Sequence, residues 1–251
     1  MWSIVRKECK LMIRGKGNLF FLLVMPMLFM VLFGSVFAKN MAPDDPNGQM
    51  LVLNQIVPGY TVMFVFFIIL TMLRSFLGER EFGMLARIAA TPLRPLGYLA
   101  GMWIPAVLAV LVQCTVLLAF GHFVYKVHLG DPVALAALVI CLAVCGTGLG
   151  LAISLWVRGE NQGRALTMLI VMGGAALGGL WMPYDMMPAG AQLASHFTPQ
   201  FWAQRALQDV MVHGAHLSGV LTSAAVLVGF GVAGLLLALL RFPRFLRSAV
   251  H

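Results

Sequence analysis

Six stretches of this chain, residues 19–38, 51–73, 96–121, 133–156, 165–183 and 219–240, contain no Asp, Glu, Lys or Arg. A helix crossing the hydrocarbon core of a bilayer needs about 20 apolar residues at about 1.5 Å of rise each. Every formally charged residue falls outside these stretches. With 61% hydrophobic and 10% charged residues in 251, polar groups are too few to cover a soluble domain of this size. The expected fold is therefore all-α, a polytopic membrane protein with six transmembrane helices.

The charges set an orientation. Arg6, Lys7, Lys10, Arg14 and Lys16 precede the first stretch, and Arg74, Arg80, Arg87 and Arg94 follow the second. Arg158 and Arg164 follow the fourth, and Arg241, Arg244 and Arg247 the last, whereas the opposite side holds only Lys39, Lys126 and Arg205. Loops rich in Lys and Arg stay in the cytoplasm, so both termini are expected there, in a multi-pass protein of the inner or plasma membrane. Topology thereby accounts for the net charge of +8, and no nucleic-acid partner is expected. The first stretch is longer than a signal-peptide core and Val36-Phe37-Ala38 is a poor cleavage site, so it reads as a retained anchor. Cys9, Cys114, Cys141 and Cys145 all lie away from the expected outer loops, which implies no disulfide framework.

Between the stretches the pattern changes. In residues 1–17, Trp2, Val5, Cys9 and Met12 recur at helical spacing while Lys7, Lys10 and Arg14 share another face, the pattern of an amphipathic helix lying on the inner surface. Residues 184–218 carry Met186, Met187, Leu193, Phe197, Phe201 and Trp202, broken by Pro188 and Pro199. That composition predicts short helices dipping into the outer leaflet. Gly146–Gly150 and Gly174–Gly178 each give a G-x-x-x-G spacing that lets helices approach closely.

Residues 78–95 read GEREFGMLARIAATPLRP. On a helical wheel Arg80, Arg87 and Thr91 fall on one side, and Phe82, Leu85 and Ala89 on the other. Glu79 and Glu81 occupy the first turn, where negative charge favours a helix, and Pro92 ends it. A short interfacial helix over 78–91 is predicted. The order E-R-E-x-G-x-L-x-R followed by T-P-L-x-P resembles the cytoplasmic loop after the second span in permease subunits of ATP-binding-cassette exporters, the ABC-2 family. The resemblance runs through the whole chain as one transmembrane domain, 1–251. It includes Gly179, Pro183, Pro188, Pro199, Ala206 and Leu207 in the last outer segment. Met84 stands where the family often has Thr, Ala86 where it has an acid, and Met102 where a lysine is frequent.

The resemblance implies roles. Residues 1–17 correspond to the family's connecting helix, and 78–91 to its coupling helix, which docks into an ATPase subunit. Glu79, Arg80, Glu81, Phe82, Gly83, Leu85, Arg87, Thr91 and Pro92 are the implied ATPase interface. The family's second and fifth spans line its route, which carries over to Phe64, Phe67 and Thr71 on one and Met168, Met172 and Leu177 on the other. Two copies, or this chain with a second permease chain, are implied, with ATP and magnesium held on the partner ATPase.

The residues also weigh against other classes. A phosphate-cradling P-loop needs Gly-Lys followed by Ser or Thr, and Lys7, Lys10, Lys16, Lys39 and Lys126 are each followed by something else. No catalytic site, metal site or cofactor of its own is expected. Ion-coupled transporters place ionisable groups inside the membrane, and the six stretches hold none, nor any histidine. A sodium-coupled carrier using carbonyls and hydroxyls, and a non-enzymatic scaffold, stay open at this point. Walls of Phe and Met suit an amphipathic or lipid-like cargo, and the short termini lean toward small molecules of the drug or antibiotic class. A polysaccharide or lipid-linked glycan exporter is the alternative within the family.

Overall fold

The computed structural model describes residues 2–41, 45–81, 95–157 and 159–247, and everything regular among them is helical. Helix α1 is Trp2–Arg14 and the short α2 Lys16–Leu19. A π-helical turn, Phe20–Val24, leads into α3, Met25–Met41. The second span is built from α4, Pro46–Val65, and α5, Ile68–Glu81. These join at Phe66–Phe67, where Phe67, Ile69 and Leu70 bond three residues back instead of four. Two long helices follow, α6 at Pro95–Tyr125 and α7 at Pro132–Trp156. Then come α8 at Glu160–Met168, a second π-helical turn at Leu169–Gly173 and α9 at Gly174–Leu177. Helix α10 is Ala189–Ser195, α11 Pro199–Met211 and α12 Leu217–Arg247.

Among the described residues five helical stretches are long and apolar enough to cross a membrane: Gly17–Phe37, Gly48–Glu79, Leu96–Tyr125, Pro132–Trp156 and Leu217–Pro243. The fifth expected span, 165–183, is not one of them. Its helix stops at Leu177 because Gly179 takes φ +71, and the Leu180 N–H reaches back to the Ala175 carbonyl at 3.2 Å. This is the glycine-terminated Schellman closure of a helix end. Upstream, its first turns carry Glu160, Asn161, Gln162 and Arg164, which dilute the apolar run. The third span also extends past its expected end to Tyr125 and so takes in His122, whose Nδ1 lies 2.9 Å from the Val127 carbonyl.

Helix α7 is the central post, packed against α12, α5 and α6. A Cβ on Gly148 would collide with the Gly231 carbonyl, and one on Gly234 would lie 2.6 Å from the Gly148 backbone. Here two backbones touch directly, which only glycine permits. The expected pair Gly146 and Gly150 turns instead to the second span, facing Val65 and Met72. Where α5, α6 and α12 come together, Tyr98 stacks on Phe242 at 5.6 Å and Phe76 meets Tyr98 and Phe245 edge-on, each at 6.2 Å. These rings are buried and fix the three helix ends relative to one another.

Candidate functional site

The aromatic cluster brings Tyr98 of α6 beside Glu79, in the last turn of α5. The Tyr98 hydroxyl donates to Glu79 Oε2, and Lys7 Nζ of α1 donates to Glu79 Oε1 at 2.6 Å. One carboxylate therefore ties three elements together. Glu79 is only 7% exposed, so this is a charge taken largely out of water and kept there by two partners. A buried carboxylate needs such pairing.

Glu8, the next residue on α1, is 5% exposed, and the same Lys7 ammonium lies 3.4 Å from it. Two buried carboxylates thus share one ammonium. Burial pushes the Glu8 carboxyl above its ordinary range, and the Lys7 charge only partly offsets this. Burial pulls Lys7 downward, but its hydrogen bond to Glu79 and the charges of Glu79 and Glu8 outweigh that, leaving it above the usual 10.5. Glu8 is the one charged group lining a crevice formed with Met12 of α1, Met72, Ser75 and Phe76 of α5, and Met102, Pro105 and Ala106 of α6. Apart from Ser75, the remaining lining is apolar.

Of the interface residues named from sequence, Glu79 faces inward in this cluster. Arg80 and Glu81 continue α5 as its last two residues. Phe82, Gly83, Leu85, Arg87, Thr91 and Pro92 lie outside the described residues, as does most of the predicted 78–91 helix. Sequence reasoning put Lys7 with Lys10 and Arg14 on the basic face of a surface helix and passed over Glu8 and Tyr98. A Lys-Glu pair inside an otherwise basic segment was the available signal.

The pathway residues separate into two groups. Phe64 is 4% exposed and packs on Phe29 of the first span at 5.5 Å and on Phe67 at 5.4 Å. The Thr71 hydroxyl reaches the Asn18 side-chain oxygen at 3.2 Å. On the fifth segment Met168 is 42% exposed, while Met172 packs against the core and Leu177 is half-buried as the last residue of α9.

These features define a helical membrane bundle whose N-terminal helix is clamped to the ends of the second and third spans. Residues 1–212 match the ABC-2 type transporter family, and the chain belongs to that family. It is similar to the linearmycin resistance permease protein LnrN of Bacillus subtilis (strain 168), 26% identical over 172 residues. That alignment takes 68% of this chain and 45% of the relative. It is also similar to ABC transporter G family member 20 of Dictyostelium discoideum, 28% identical over 144 residues, or 57% of this chain and 20% of the relative. The chain thus spans less than half the length of these curated relatives.

Proposed function

We propose that this chain is the permease subunit of an ATP-binding-cassette exporter, moving a small amphipathic or lipid-like molecule outward with ATP hydrolysed on a separate subunit. The observation that carries the reading is the Glu79 cluster. Any displacement of the 82–94 segment, which joins α5 to α6, acts on helices whose ends are bound to each other and to α1 through Lys7, Glu79 and Tyr98. A push from a docked ATPase therefore moves α1, α5 and α6 together. Buried charge pairs resist separation, because parting them leaves an unpaired charge out of water.

In this reading both termini and the 82–94 segment face the cytoplasm, the ATPase carries ATP and magnesium, and two permease chains flank one route. The similarity to a linearmycin resistance permease supports the drug or antibiotic class of cargo over a glycan. The permease cycle is alternating access, with ATP-driven closure of the partner tilting the second and third spans. The test is co-purification from the native membrane. The wild-type chain retains an ATPase subunit, and the double variant Glu81→Ala/Arg87→Ala loses it at unchanged expression. Equal retention by both would refute the docking assignment.

A further inference from the structure

At the end of the second span opposite Glu79, a second polar cluster holds an entirely different segment. Gln55 of α4 donates through Nε2 to the Gly179 carbonyl at 2.5 Å, in the turn that ends α9. Its Oε1 accepts from Gln208 Nε2, and its backbone carbonyl accepts from Gln204 Nε2 at 3.2 Å. Gln200, Gln204 and Gln208 recur every four residues along α11 and so share one face of it. Gln200 donates to the Ile170 carbonyl at 3.0 Å, inside the π-helical turn Leu169–Gly173. The contact is close as well as polar, since a Cβ on Gly59 would lie 2.6 Å from the Leu180 carbonyl.

Three features separate this cluster from an ordinary structural brace. It is built from neutral carboxamides, whose hydrogen bonds contribute little net and leave no charge behind when they part. Its pairing is incomplete: Gln204 is 3% exposed, and its Oε1 has no partner among the described residues. A buried acceptor left over in one arrangement is available to bond in another. Finally, Gln55 and Glu79 stand on one span, roughly 36 Å apart at 1.5 Å per residue, with the Phe66–Phe67 break between them.

We propose that Gln55 is a positioning residue that latches the 178–211 segment onto the second span, and that the transport cycle breaks and remakes this latch. The proposal rests on the permease reading above. A tilt imposed at Glu79 is carried along the span to Gln55, so the segment closes over the bundle in one state and is released in the other.

The test uses the chain with its co-purified ATPase in lipid nanodiscs, with Cys9, Cys114, Cys141 and Cys145 replaced by Ala. Gln55→Cys and Gln208→Cys are joined by a short bis-methanethiosulfonate. The expected result is efficient bridging without nucleotide and about tenfold less after trapping with ATP and vanadate, with bridged complexes losing ATP hydrolysis until a reductant is added. Equal bridging in both states, with hydrolysis indifferent to the bridge, overturns the latch and leaves the permease reading standing. Failure of the unsubstituted chain to retain any ATPase overturns both. A single Gln208→Leu variant gives an independent reading. Hydrolysis rises about fivefold, the equivalent of one latch bond of about 1 kcal/mol lost from the closed state, and unchanged hydrolysis counts against the latch.

Discussion

Glu79 has two partners of different kinds, and substitution separates them. Tyr98→Phe removes one hydrogen bond to a carboxylate without changing shape, and should lower stability by about 1.5–3 kcal/mol, read as thermal melting in detergent. Glu79→Gln should cost a similar amount and also free α1, measured as faster proteolysis after Lys7 or Lys10. A Glu79→Gln chain as stable as wild type would show that the cluster does not hold the helix. Glu8 behaves in the opposite sense. Its folded pKa is raised from 4.5, so the folded chain favours the protonated form and loses that advantage as pH rises through the folded value. Glu8→Gln should therefore raise the melting temperature at pH 7, with the gain shrinking as pH falls toward 4.5. Lys7 is raised above 10.5, so its contribution is fully present below that pH and is lost only as pH climbs through the higher folded value.

Among the elements, the crossing of α7 and α12 makes a sharp demand on Gly148. Gly148→Leu must push apart two touching backbones, and overpacking of this kind costs about 1–3 kcal/mol or more. The turn after α9 gives a contrasting pair. Gly179→Ala meets nothing closer than 3.5 Å, so its cost is that of a left-handed backbone, about 1–2 kcal/mol. Gly59→Ala adds a collision with the Leu180 carbonyl and should destabilise more, in the same melting assay. The four full-length spans from 51–73 onward that the structure keeps were legible because uninterrupted apolar runs leave a chain few alternatives, and the first was legible for the same reason. The early end of the helix in the fifth stretch was not legible, because its glycines count as apolar in a hydropathy window, whereas Gly179 acts through its backbone angle. The Glu79 cluster was half legible. The carboxylate was flagged, but its burial depends on α1 folding back onto α5 across more than seventy residues of sequence, which no local pattern encodes. The glutamine face of α11 was missed because its residues at 200, 204 and 208 read as ordinary polar positions of an outer helix.

For the whole molecule, the two polar clusters sit toward opposite ends of the second span, and the buried interior between them is largely apolar. Such an interior transmits displacement instead of absorbing it, which is what a gate driven from one end requires. In the proposed reading the driving energy comes from an ATPase docked against 82–94. The most direct measurement is movement of a dansyl-labelled lipid analogue in proteoliposomes containing this chain, with and without its co-purified ATPase. The account predicts movement only when the ATPase and ATP are both present, abolished by vanadate and indifferent to an imposed proton or sodium gradient. Movement by the purified chain alone, driven by either gradient without ATP, would contradict it.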